Sequence, residues 1–286
     1  MISPPAQPSA KYCLGAHLGC APYFYTGVLM LTNIFDTHAH YDDEAFDTDR
    51  DELLGSVLPE NGVSLVLTQG TDLVSSVHSL ELAKKYDYVY AAMGYHPEQA
   101  GDERKGDLDL IAEFLEKEPK AVAVGEIGLD YHWAENPPKE TQLDLLGRQL
   151  ALAKDLDMPV VIHDRDAHQD CLTLLQKYRP KGVMHCFSGS VEFLQEILKL
   201  GMYIGLGGAV TFKGAKKPLA VAKEVPLDRL LLETDCPYMA PVPFRGKRNQ
   251  SDYIAEVAKV IAEQKGMDAQ KLVHQCTENG CCLFNI

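Results

Sequence analysis

The sequence predicts a (β/α)8 barrel on three observations: eight short apolar runs rich in β-branched residues, helix-type charge spacing between them, and a ligand-type polar residue where most runs end. The first run is NIFDTHAH (33–40), followed by VSLVLTQG (63–70), YVYAAMGYHP (88–97) and AVAVGEIGLDY (121–131). PVVIHDR (159–165), GVMHCFSG (182–189), YIGLGGAV (203–210) and LLLETDCP (230–237) complete the set. Between runs, DLDLIAEFLEKE (107–118) and KETQLDLLGRQLALAKDLD (139–157) space their apolar residues by three and four, the period of an amphipathic helix. Apolar strands that alternate with helices argue for parallel pairing, because a parallel sheet must be covered on its outer face. Eight such units in about 250 residues is the count of the closed barrel. A doubly wound open sheet is the competing architecture, but no GxGxxG follows the first strand.

The composition limits what such a barrel can do. With 286 residues, 46% of them hydrophobic and 24% charged, the chain is long enough to bury a large core as a soluble protein. Its formal net charge of -14 works against a broad electrostatic grip on nucleic acid or on an anionic membrane. A nucleic-acid substrate would therefore have to be held locally, at a focused cationic site or through bound metal. No window reaches the roughly 20 apolar residues of a membrane span, so no membrane association is expected. Eight cysteines without a CxxC pair argue against a zinc knuckle and for thiols kept reduced, which points to the cytoplasm. Residues 1–29 stand apart, with Lys11 as their only Asp, Glu, Lys or Arg, and read as a poorly ordered extension ahead of Met30. With no linker or repeat after Met30, residues 30–286 are expected to form a single barrel domain.

In such a barrel the active site lies at the carboxyl ends of the strands, so the polar residues that end each run carry the chemistry. Strand one ends in His38 and His40, strand three in His96, strand four in Glu126 and Asp130, strand five in His163, strand six in His185 and strand eight in Asp235. His38 and His40 are two apart on a strand, so both imidazoles face the same way, into the mouth. Imidazoles with carboxylates suit borderline divalent ions such as zinc or manganese, and magnesium where oxygen ligands dominate. Four histidines and two carboxylates exceed what one tetrahedral ion needs, and suit two ions bridged by a carboxylate and a water. For any one of these histidines a hydrogen-bonded structural role is the commoner fate. The case rests on six ligand-type residues that end corresponding strands, where buried charge is costly without an ion to pair it. His78, His132, His168 and His274 lie on helices or beyond the strand ends and keep the structural reading.

The stretches DTHAH, GYHPE, GEIGLDYH, VIHDRDA, HCFSG, LLLETDCPY and RGKRN follow one another in this order within residues 33–286. With them the chain resembles the TatD family of metal-dependent deoxyribonucleases. The resemblance implies an amidohydrolase-type barrel and a metal-dependent hydrolase of ester bonds, a 3′–5′ exonuclease-type nuclease whose substrate is DNA, as single strands or ends. It also implies two divalent ions, magnesium, manganese or zinc, with His38, His40 and Asp235 on the first, His163 and His185 on the second, and Glu126 bridging. Asp235 would additionally accept a proton from the attacking water, and His96 would bind substrate or donate a proton. Many relatives in the wider amidohydrolase group carry a carbamylated lysine at the end of strand four, where this chain has the permanent carboxylate of Glu126.

Two basic groups are candidates for phosphate contact. Arg165, two residues past His163, can offer a planar fork, and Arg245, Lys247 and Arg248 concentrate charge in PVPFRGKRNQ (241–250). The plainer reading of that run is a solvated charge cluster before a helix, with Asn249 or Ser251 as its N-cap. Cys236 follows Asp235 where serine is common in the family. The competing function is a small-molecule amidohydrolase or phosphoesterase on the same scaffold, which the acidic net charge mildly favours.

Overall fold

Short runs dominated by apolar residues on both faces favour burial on both sides, and this is how the chain uses them. The structure, a computed structural model, describes residues 30–286. The proposed extension over 1–29 lies outside the described residues. The strands are β1 (Ile34–Ala39), β2 (Val63–Gln69), β3 (Val89–Met93), β4 (Ala121–Asp130), β5 (Val160–Arg165), β6 (Gly182–Met184), β7 (Tyr203–Leu206) and β8 (Leu230–Leu232). They pair in parallel, in sequence order from β1 to β8.

A helical layer follows each strand. After β1 come α1 (Arg50–Glu52), a π-helical turn at Leu53–Val57, and α2 (Leu58–Glu60). Then follow α3 (Leu73–Lys85), α4 (Asp107–Lys117), α5 (Lys139–Asp155), α6 (His168–Tyr178), α7 (Val191–Lys199), α8 (Lys216–Glu224), α9 (Ile254–Lys265) and α10 (Ala269–Phe284). Helical spacing turns Ile111 and Leu115 of α4, and Leu145, Leu146 and Leu150 of α5, onto the outer face of the strands. Side-chain caps set several helix starts: Asp72 accepts from the Ser75 amide, Ser190 from Phe193 and Asp268 from Lys271.

The interior of the barrel is a second, separate core of Phe35, Leu67, Ala92, Ala123, Val161, Val183 and Leu231. Phe284, at the end of α10, plugs its lower end, edge-on to Phe35 with ring centroids 6.2 Å apart. Gly280 lets α10 come this close, since a Cβ there would lie 2.6 Å from the Phe35 ring. Packing below leaves only the opposite end, at the carboxyl ends of the strands, open to solvent.

β6 and β8 are shorter than the runs that encode them, because the chain leaves the ladder where the polar residues begin. Cys186 (φ 41°) and Asp235 (φ 62°) take left-handed backbone conformations, which cost a non-glycine residue about 1–3 kcal/mol and must be held by their surroundings. The seam between β8 and β1 is closed by Asp235 and the residue after it, Cys236. The Asp235 amide donates to the His38 carbonyl at 2.9 Å, and the His40 amide to the Cys236 carbonyl at 2.8 Å. The polar ends of two strands distant in sequence are therefore locked side by side.

Candidate metal centre

The carboxylate of Glu126 is the hub of the mouth. β4 is buried along its whole length, and Glu126 rises from it 2% exposed. One carboxylate oxygen, Oε2, faces His38 Nε2 at 3.2 Å and His40 Nε2 at 3.5 Å. The other, Oε1, faces His163 Nδ1 at 2.9 Å and His185 Nε2 at 2.7 Å. The strand spacing of His38 and His40 brings their Nε2 atoms to 3.2 Å, and β5 with the turn after β6 brings His163 Nδ1 to 3.2 Å from His185 Nε2. Asp235 Oδ1 closes the first group, 3.6 Å from His38 Nε2 and 3.4 Å from His40 Nε2. His96 stands to the side, with Nε2 3.6 Å from Glu126 Oε1 and Nδ1 accepting from the Glu98 amide at 3.3 Å.

A further layer holds these side chains in place. Asp130 Oδ2 lies 3.0 Å from His163 Nε2, so the imidazole is gripped on the nitrogen that faces away from Glu126. Glu233 accepts from the Cys186 amide and stands 3.9 Å from His185 Nδ1. Asp36 Oδ2 accepts from the hydroxyls of Thr234 and Ser251, at 2.6 Å and 2.7 Å, and ties β1 to the segment carrying Asp235. Asn249 is buried and donates to the Thr234 and Tyr238 carbonyls, at 2.9 Å and 2.8 Å. It braces the β8 loop from inside and is not the N-cap that its position in the sequence resembles. Glu233, Asp36 and Asn249 were missed by reasoning from strand ends. The available signal was an acid inside an apolar run, as in LLLE and IFD, which demands a buried partner.

Burial and neighbouring charge set the protonation states in the absence of metal. Burial would raise the Glu126 pKa, but His185, His38 and His96 outweigh it and hold the carboxyl well below its usual range. Burial, reinforced by His185, lowers His38 to about 4, and burial lowers His96 to about 3. His40 and His163 move the other way against burial: Asp235 and Glu126 raise the first to about 9, Asp130 and Glu126 the second to about 10. Burial lifts Glu233 to about 8 and Asp36 to about 6.

These residues fit divalent ions. Two pairs of ring nitrogens point nose to nose at 3.2 Å, an arrangement that needs a cation or shared protons between the lone pairs. The buried atoms His38 Nδ1, His185 Nδ1 and Glu233 Oε2 find no hydrogen-bond partner. Groups whose donor atoms converge enough to hold an ion are His38, His40 and Glu126, then His96, Glu126 and His163, then His38, His185 and Glu233.

The basic candidates divide. Arg165 lines the mouth, a cavity of about 750 Å³ shared with His40, His96, Glu126, His163, His185 and Asp235. Arg245, Lys247 and Arg248 do not line it. Arg248 forks onto Asp49 at 2.7 Å and 2.6 Å and covers the Phe46 ring at 4.5 Å, so its charge is consumed within the protein. Arg245 lies over the Phe212 ring at 3.9 Å and donates to the Ala240 carbonyl at 3.1 Å. His168 bonds Asp164 at 2.8 Å and stacks on Phe193, and His132 pairs with Asp166, in keeping with structural roles.

A parallel eight-stranded barrel with imidazoles and carboxylates gathered at its carboxyl end defines a metal-dependent hydrolase. Comparison with known proteins narrows the class. The family profile described as TatD related DNase matches residues 35–285, and the chain belongs to this family. The metal-dependent hydrolase YabD of Bacillus subtilis is 45% identical over 256 residues, 88% of this chain and 99% of its own. The 3′-5′ ssDNA/RNA exonuclease TatD of Erwinia tasmaniensis is 34% identical over 262 residues, 88% of this chain and all of its own. The crystal structure of YjjV, a TatD homologue from Escherichia coli, superposes with a TM-score of 0.83 at 35% identity, covering 88% of this chain and 98% of YjjV.

Proposed function

We propose that this hydrolase is a deoxyribonuclease that removes nucleotides from 3′ ends of single-stranded or frayed DNA, using two divalent ions of magnesium, manganese or zinc. The observation that carries the reading is the Glu126 carboxylate, which presents one oxygen to each of two histidine pairs. In this proposal His38, His40 and Asp235 hold one ion, His163 and His185 the other, and Glu126 both. The ions, when bound, supply Lewis acidity and a water of lowered pKa.

The remaining chemistry falls to the chain's own side chains. Asp235 is ionised, since His40, His38 and His185 overcome burial and lower its pKa, so its second oxygen can take a proton from the attacking water. His96 stays neutral, and with Nδ1 accepting from the Glu98 amide its Nε2 carries the hydrogen that a phosphate oxygen can receive. Arg165 is the mouth-lining guanidinium available to a phosphate, and phosphate contact is assigned to it ahead of Arg245, Lys247 and Arg248. A narrow mouth at the end of a barrel favours strand ends over the middle of a duplex. The name of the Erwinia relative supports the exonuclease reading, and thiols at Cys171, Cys186, Cys236 and Cys276 suit a reducing cytoplasm. No helix among the described residues is long and apolar enough to cross a membrane.

The second reading, a small-molecule amidohydrolase or phosphoesterase, draws on the Asp42, Asp43, Glu98 and Asp164 carboxylates around the mouth, which repel a polyanion. Purified protein incubated with end-labelled single-stranded DNA, with chelator or with each of the three metals, separates the two. Metal-dependent shortening from the 3′ end supports the nuclease, and intact DNA under all conditions defeats it.

A further inference from the structure

Large apolar side chains left in solvent are costly, and among the described residues two aromatic ones, Trp133 and Tyr238, stand 45% and 56% exposed. Both lie on loops at the mouth, Trp133 just beyond β4 and Tyr238 just beyond β8. In a barrel whose strands run in order from β1 to β8, β4 and β8 face each other across the axis. The two rings therefore stand on opposite rims with the Glu126 cluster between them. Tyr238 lines the cavity, edge-on to His40 with centroids 6.4 Å apart, and donates its hydroxyl to Asp43 at 3.0 Å. Trp133 carries the Arg165 guanidinium 5.2 Å from its ring centroid. It meets His132 edge-on at 4.6 Å, and the hydrogen bond between His132 and Asp166 at 2.8 Å steadies that loop.

A contiguous apolar ligand would find acid between the two rings, so they do not form one hydrophobic patch. What suits two rings on opposite rims of a metal-binding centre is flat groups joined by an anion: nucleotides of one strand, with a linking phosphate over the centre. We propose that Trp133 and Tyr238 are base-stacking platforms for the nucleotides on either side of the scissile phosphate, with Arg165 taking the phosphate beside the base on Trp133. The inference rests on the nucleic-acid reading of the site. Every base presents a π-face, so the platforms grip single strands with little sequence preference. They also offset the repulsion between a chain of net charge -14 and its substrate.

Trp133 is the sole tryptophan in the chain, so its fluorescence reports on its own ring. Intact protein is titrated with phosphorothioate-linked oligothymidine and with an abasic oligomer of the same length, and cleavage of the ordinary oligothymidine is followed in parallel. The expected results are saturable quenching by oligothymidine and none by the abasic oligomer. Trp133→Ala and Tyr238→Ala should each raise the KM for oligothymidine roughly 5- to 100-fold, the range of one lost base stack, and raise the KM for the abasic oligomer by a smaller factor. Trp133→Phe and Tyr238→Phe, which keep a ring, should recover most of the loss, and thermal melts check folding. If the intact protein cleaves oligothymidine while both alanine variants keep KM within about twofold of it, the platforms are wrong and the nuclease reading stands. If the intact protein cleaves no oligonucleotide with any of the three metals, both fall.

Discussion

Replacing Glu126 by glutamine keeps the side chain's shape and removes its charge. In the native protein each carboxylate oxygen faces two imidazole nitrogens, at 3.2 Å and 3.5 Å on one side and 2.9 Å and 2.7 Å on the other. An amide can offer its oxygen to one histidine pair only, and it turns an NH2 toward the other. Two unit charges about 4 Å apart at an effective dielectric near 20 interact by about 4 kcal/mol. The lost attraction therefore corresponds to roughly three orders of magnitude in affinity for a cation at the pole facing the NH2. Isothermal titration with manganese or zinc, with metal content measured after dialysis, should find Glu126→Gln retaining one equivalent at most and the parent two. The variant should remain folded, since an uncharged side chain is easier to bury than the carboxylate it replaces. Two equivalents bound by Glu126→Gln within about tenfold of parental affinity would refute the bridging role.

Asp235→Asn should lower metal-dependent turnover by at least about a hundredfold, the usual weight of a general base, while His78→Ala on α3 should leave it unchanged, as steady-state assays would report. In chelator, stability should fall as pH rises from about 6.5 toward 10. His40 and His163 have folded pKa values of about 9 and 10, above the ordinary imidazole value, so their ion pairs contribute fully below about pH 6.5 and are lost as these rings deprotonate. Metal ligation needs the same rings neutral. Calorimetry in two buffers of different ionisation enthalpy should therefore find protons released on manganese binding and affinity rising with pH; no proton release would contradict the assignment. Phe284→Ala, which unplugs the barrel floor, should cost about 3–5 kcal/mol by denaturant unfolding without altering the metal stoichiometry.

The architecture was legible in the sequence because a parallel barrel repeats one local rule. Each run from NIFDTHAH to LLLETDCP falls on a strand, and the amphipathic stretches at 107–118 and 139–157 fall on α4 and α5. The strand ends were legible for the same reason: period two turns His38 and His40 one way, and parallel topology brings every carboxyl terminus to one face. That is why residues as far apart as His38 and Asp235 meet around Glu126.

Local pattern could not reveal which polar groups would find partners inside the protein. The same charge run supplies Arg248 to Asp49, across 199 residues, while Arg165 on β5 faces the mouth, and no spacing rule separates the two. Glu233, an acid inside the run LLLE, stands 3.9 Å from His185, and Asn249, whose position in the sequence suits a helix cap, braces the β8 loop. By itself the sequence determined periodicity, and with it the strands, their order and the face on which their ends converge, because those follow from steric and hydrophobic rules acting over a few residues. Only the tertiary structure decided which charges are consumed and which remain available, because that depends on contacts between segments hundreds of residues apart and on the burial they create.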